Sequence, residues 1–149
     1  MLTCTRRLQF CAGHRIQNHE GKCRNLHGHQ YGVEITAEST AGLDVLGRVV
    51  DFSVLKGIYD PWIQEKFDHG FILHRADKSA IQALEFFSEK EQVKQKIYLL
   101  DFNPTAENLA RFFLDHTEFV TKLEPHFVKV VKVVVHETPN CSAEACLKE

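Results

Sequence analysis

The chain has 149 residues, 44% of them hydrophobic, with 18 basic and 20 acidic side chains and a formal charge of −2. This fits one ordinary domain, residues 1–149, with enough apolar side chains for its own core. The balanced charge excludes a global pull toward nucleic acid or a membrane surface, no apolar run approaches the ~20 residues of a membrane span, and the N-terminus lacks an apolar signal-peptide core.

In chain order, Leu8 to Ala12 reads as a strand that His14 ends, with Cys4 and Cys11 as small core residues. A polar loop, Arg15 to Leu26, leads to His27-Gly28-His29, and Tyr31 to Ser39 continues that pair as a second strand rich in Tyr, Val, Ile and Thr. After the turn-rich Thr40 to Asp44 and Gly47, Arg48-Val49-Val50 predicts a short strand. Asp51 or Ser53 then caps a helix from Val54 to about Phe67, kinked or split at Pro61. Arg75 to Lys96 is a charged insert that holds a short surface helix, and a strand follows it. A second helix follows Pro104, with Thr105 as N-cap, Glu107 in the first turn, and Leu109, Phe112, Phe113 and Val120 on one face. The valine-rich Phe127 to His136 is the last strand. The layout is α+β, an antiparallel sheet with two helices packed on one face.

The chemistry concentrates in sixteen residues, from His14 through Cys23-Arg-Asn-Leu-His27-Gly-His29. On an extended strand, residues at i and i+2 project to one face, so His27 and His29 reach a common metal ion. If the two strands pair as a hairpin, His14 joins them. Three protein ligands leave a tetrahedral zinc ion one open position, as in catalytic sites, whereas a fourth ligand from Cys23 would close it as a structural site. A nearby dication with Lys22 and Arg24 would favour the Cys23 thiolate, the form that acts as base or nucleophile. Both arrangements are open at this point.

Two further places carry polar chemistry. Asp68-His69-Gly70 is either a proton shuttle, the carboxylate orienting its imidazole, or the decorated end of a helix. Glu137, at the end of the valine strand, is placed to grip the amidine-like edge of a heterocycle, or is a solvated strand end. His19, His74, His116 and His126 have no metal-like spacing and read as surface residues. Five cysteines without a Cys-x-x-Cys pair predict free thiols in a reducing, cytoplasmic setting, with Cys141 and Cys146 in a polar tail without a role.

Taken together, Phe10 to His14, Cys23 to His29, Gly47 to Lys56, Phe67 to His69, Pro104 to Asn108 and His136 to Thr138 resemble, in order, the 6-pyruvoyltetrahydropterin synthase and 6-carboxytetrahydropterin synthase group of the T-fold superfamily. The resemblance implies a T-fold sheet that closes into a β-barrel in homo-oligomers, a hexamer built as a dimer of trimers with sites at subunit interfaces. It implies zinc on His14, His27 and His29, Cys23 as general base, Asp68 with His69 as relay, Glu137 as pterin anchor and relay member, and Thr105 and Glu107 lining the pterin pocket. The implied substrate is 7,8-dihydroneopterin triphosphate. The three-residue gap between Cys23 and His27 resembles the carboxy branch, whose implied products are 6-carboxy-5,6,7,8-tetrahydropterin, acetaldehyde and triphosphate, on the way to 7-deazapurines and queuosine. The pyruvoyl branch, which keeps the side chain, and a non-catalytic zinc-stabilised pterin-binding oligomer are the alternatives. Arg15, Lys22 and Arg24 are candidates for the triphosphate, or exposed solubilising charges.

Overall fold

The computed structural model describes residues 1–148. The chain runs β1 (Thr3–His14), β2 (His27–Ser39), α1 (Phe52–Lys66), β3 (Gly70–His74), α2 (Lys78–Glu91), β4 (Ile97–Leu100), α3 (Ala106–Asp115), α4 (Thr117–Leu123), β5 (Val128–Thr138) and β6 (Cys141–Cys146). All six strands form one sheet in the order β4-β3-β1-β2-β5-β6. The β1–β2, β2–β5 and β5–β6 pairs are antiparallel; β3 and β4 join in parallel beside β1.

Alternation along the strands decides which face is dry. Leu8, Phe10, Ala12 and His14 of β1, Tyr31, Val33, Ile35 and Ala37 of β2, and Val133 and Val135 of β5 are buried on one face. On this face α1 places Leu55, Tyr59, Trp62 and Ile63, and α3 places Leu109, Ala110 and Phe113, in one core. Trp62, Phe67, Phe113 and Phe119 pack mostly edge to face, the arrangement aromatic quadrupoles favour. The α+β class is as expected, but the sheet is mixed rather than antiparallel because β3 and β4 join β1 in parallel, and β3, β6 and α4 add to the elements expected.

The differences from the sequence reading have local causes. Arg48-Val49-Val50 forms no strand: Asp44 Oδ1 accepts the backbone N–H groups of Leu46 and Arg48, and Arg48 Nε donates to Asp44 Oδ2 at 2.8 Å, so this segment is a self-contained turn around Gly47 at φ 82°. α1 is capped by Asp51, whose Oδ1 accepts Ser53 N–H at 2.8 Å, and it runs unbroken through Pro61. Pro61 is exposed and the carbonyl it deprives belongs to exposed Gly57, which is open to solvent. Residues 75–96 hold a full 14-residue helix, α2, and Gly70–His74 before it is a buried strand. α3 ends at His116, so Val120 lies exposed on a separate helix rather than on the apolar face. Cys11 is exposed because Phe10 and Ala12 on either side point inward. The C-terminal polar stretch is an edge strand, β6, with Ala143 and Ala145 packed against the core.

Candidate metal centre and cleft

The β1–β2 register sets His14 opposite His27 and Ala12 opposite His29, so the three imidazoles meet at the end of the buried sheet face. Their ligand nitrogens lie within 4.8 Å of one another. The ring tautomers are fixed from behind. His14 Nδ1 donates to Pro104 O at 2.9 Å, and His27 Nδ1 donates to Asn25 O at 2.7 Å. Each neutral ring therefore presents an unprotonated Nε2, and these two nitrogens face each other at 3.1 Å. Two lone pairs at that distance repel unless a cation lies between them, and it is close to the ~3.4 Å that separates two ligand nitrogens on a tetrahedral ion with zinc–nitrogen bonds of ~2.0–2.1 Å. His29 Nε2 is likewise buried with no hydrogen-bond partner among the described residues. The donor set fits a borderline-soft divalent ion such as zinc, and the carbonyl partners behind the rings are the outer support such centres need.

Electrostatics favour the ligand form. Burial, reinforced by His27 and His29, pushes His14 down to about 4, and burial with His27 lowers His29. Neutral imidazole is the form that binds metal. Glu137 approaches the Nε2 atoms of His14 and His29 at 3.9 Å each, too far for hydrogen bonds. Burial raises its carboxyl, and Glu107 adds to the shift against the opposing pull of His27. Among the described residues, Cys23 is not one of the atoms that meet within 4.8 Å; the group that could hold a metal ion is His14, His27 and His29.

A cleft beside this centre is lined by His14, Ile16, His19, Cys23, Thr105, Glu107, Glu137 and Cys141. Thr105 caps α3, its Oγ1 accepting Asn108 N–H at 3.2 Å, which holds Glu107 in the first turn at the cleft wall. Seven of the nine sequence-derived site residues thus converge: His14, Cys23, Thr105, Glu107 and Glu137 share one cleft, and His27 and His29 adjoin it. His19, read from the sequence as a surface residue, lines it too. His116 is also not a surface residue, since it packs against Trp62, Phe112 and Phe119.

Asp68 and His69 form a tight pair, Nδ1 to Oδ2 2.6 Å, but elsewhere. Asp68 Oδ1 accepts Cys11 N–H at 2.9 Å and His69 N–H donates to Cys11 O at 2.7 Å, which ties the pair to the β1 residue that points away from the core. Burial raises the Asp68 carboxyl, yet the Cys11 N–H and His69 together hold it below its usual range. His69 sits at φ 56°, a strained backbone for a non-glycine residue, with its side chain 82% exposed. It faces a shallow depression bordered by Cys11, Gly13, Gly28 and Gln30. Of the three cations offered for a phosphate tail, Arg15 is committed to buried Asp77 at 2.8 Å, while Lys22 and Arg24 are exposed.

An α+β sheet domain with a three-histidine cluster able to hold a metal ion, beside a thiol and a half-buried carboxylate, has the make-up of a small enzyme. Residues 3–146 match the family model described as 6-pyruvoyl tetrahydropterin synthase, and the chain belongs to that family. It is 44% identical to 6-carboxy-5,6,7,8-tetrahydropterin synthase of Rickettsia bellii, covering 97% of this chain and 99% of the relative. It is 36% identical to the Aquifex aeolicus protein of the same name, covering 91% and 92%. Among solved structures, an uncharacterized protein of Wolinella succinogenes superposes with a TM-score of 0.81 at 26% identity, covering 99% of this chain and 98% of that one. The Caenorhabditis elegans 6-pyruvoyl tetrahydropterin synthase superposes at 0.63 with 22% identity over 99% and 96%, a likeness of fold.

Proposed function

We propose that this protein is a zinc-dependent carbon–carbon lyase that converts 7,8-dihydroneopterin triphosphate to 6-carboxy-5,6,7,8-tetrahydropterin, acetaldehyde and triphosphate, for 7-deazapurine and queuosine synthesis. The observation that carries the reading is the pair of opposed Nε2 lone pairs at 3.1 Å, beside an open cleft that holds both Cys23 and Glu137. The names of the relatives at 36–44% identity point to the carboxy product.

His14, His27 and His29 would hold the zinc ion, which when bound would supply Lewis acidity toward the substrate's side-chain hydroxyls. Cys23, in the cleft, takes a proton from the side chain as general base. Glu137 accepts hydrogen bonds from the ring's amidine-like edge and exchanges protons there; its raised carboxyl pKa, set by burial and Glu107, brings it nearer the working pH. Thr105 and Glu107 hold the opposite wall. The Asp68–His69 pair is oriented for proton relay by its 2.6 Å contact, and its exposure on the outward face supports a site completed by a second copy, with the pair reaching a neighbour's cleft. We place this chain in a barrel-forming homo-oligomer, a hexamer of two trimers. A cytoplasmic setting accords with five unpaired cysteines, and no helix among the described residues is long and apolar enough to cross a membrane.

Incubating the zinc-loaded protein with 7,8-dihydroneopterin triphosphate tests the reading. Release of acetaldehyde with a 6-carboxy product is expected. A product that retains its three-carbon side chain would move the assignment to the pyruvoyl branch, and bound but unconsumed substrate would leave only a binding protein.

A further inference from the structure

We propose that His19 is a substrate-binding residue of this cleft, donating from Nε2 to an anionic phosphate oxygen and so setting preference for phosphorylated over phosphate-free pterins. This rests on the functional reading above and adds the residue that recognises the tail. Three observations carry it.

First, the loop around His19 is held rather than loose. Gln17 is clamped by Asn103 in both directions, N–H to Oδ1 and Nδ2 to carbonyl, each at 3.0 Å. Ile16 N–H donates to Cys23 O at 2.8 Å, and the chain reverses at Asn18 in the left-handed region, φ 66°. That reversal directs the next side chain, His19, to the cleft wall beside Cys23.

Second, the tautomer is set. Gly21 N–H donates to His19 Nδ1 at 2.8 Å, so the ring proton is on Nε2, which acts as a donor. The contact is close: a Cβ at position 21 would lie 3.3 Å from the His19 ring. The Glu20 carboxylate is 92% exposed and 4.0 Å from Nδ1, so it does not occupy the donor nitrogen.

Third, charge leaves an anionic tail few exits. Glu107 and Glu137 make their walls repulsive to phosphate, Arg15 is neutralised by Asp77, and His14 is spent on the metal centre. His19 offers the cleft a donor with no competing acceptor. A hydrogen bond to a charged oxygen is the strong kind, and its loss is read as a change of about tenfold in affinity.

The test measures binding by calorimetry of 7,8-dihydroneopterin triphosphate and of 7,8-dihydroneopterin to zinc-loaded protein. A Cys23→Ala background prevents consumption of substrate, with wild type checked on dihydroneopterin alone. The ratio of the two affinities is expected to fall about tenfold on adding His19→Ala, and to recover to within about twofold with His19→Gln, which keeps an N–H donor, zinc content staying constant. An unchanged ratio overturns the proposal, whether both ligands weaken together because the loop has shifted or neither weakens; in that case binding by the His19-containing protein still upholds the functional reading. If the His19-containing protein binds neither ligand, that reading has failed and this proposal falls with it.

Discussion

The histidine triad and the Asp68–His69 pair are both anchored on the last turns of β1, yet one is enclosed by its own chain and the other is not. His14 is 1% exposed, its Nδ1 bonded to Pro104 O, and the strands that carry the triad are neighbours in a continuous antiparallel ladder. His69 is 82% exposed on the outward face, in a strained backbone conformation maintained by Cys11 on both sides of its peptide. Strain of this kind costs about 1–3 kcal/mol and persists where the surrounding structure, or a function, fixes it. A metal centre must keep its ligands together before any ion arrives, so it belongs in the rigid core of one chain. A proton relay needs only to reach a substrate, and an exposed pair can do that across an interface.

The largest expected effect tests the enclosed half. Cys23→Ala removes the proposed base and should lower turnover by roughly 10²–10⁴-fold with zinc content intact, measured by metal analysis alongside product formation. Loss of zinc in that variant would instead make Cys23 a ligand and the centre a closed one. Next, His29→Ala takes away one of three ligands; because His29 Nε2 has no other partner, we expect the metal to be lost on dialysis and activity with it, while the fold, judged by circular dichroism, remains. The exposed half is tested by mixing. If the pair acts in a neighbour's cleft, inactive Cys23→Ala and inactive His69→Ala proteins, unfolded and reassembled together, should regain about one quarter of wild-type activity, the share of interfaces that combine two intact contributions. Recovery of none would place the relay within one chain.

The triad was legible in the sequence because its geometry is local. The i, i+2 spacing maps directly onto strand alternation, and a hairpin between adjacent strands supplies His14. Glu137, Thr105 and Glu107 come from distant elements, and only the ordered resemblance linked them to the cleft. His19 was hidden because its direction depends on a left-handed Asn18, a loop conformation that no periodicity encodes. The same holds for fold elements. The Phe71-Ile72-Leu73 run bounded by Gly70 carried a strand signal that its shortness, between a helix end and the charged insert, masked, and β6 has only Ala143 and Ala145 to bury, too little hydrophobicity to stand out. Pro61 misled because the breaker rule assumes a buried partner carbonyl, whereas that of Gly57 is exposed to water.

The smallest expected effect separates the two clusters by pH. In metal-free protein, His14 has a pKa of about 4 when folded against 6.5 in an ordinary setting, so between those values the unfolded chain binds more protons than the folded one. Its contribution is fully present above pH 6.5 and is lost as pH falls to about 4, a decline of about 3 kcal/mol that urea unfolding in the presence of a chelator should show. The control is His14→Gln, in which that slope should flatten; a slope that persists would assign the decline to other groups. Asp68 works in the opposite range. Its lowered carboxyl stabilises the fold above the ordinary value of 3.8 and ceases to do so only as pH falls below it, so His69→Ala should alter the most acid limb of the curve and leave the slope from 6.5 to 4 unchanged. An acid limb that His69→Ala leaves unaltered would mean that the Cys11 N–H alone holds the carboxylate, and that the exposed pair is aligned for chemistry without contributing to the stability of its own chain.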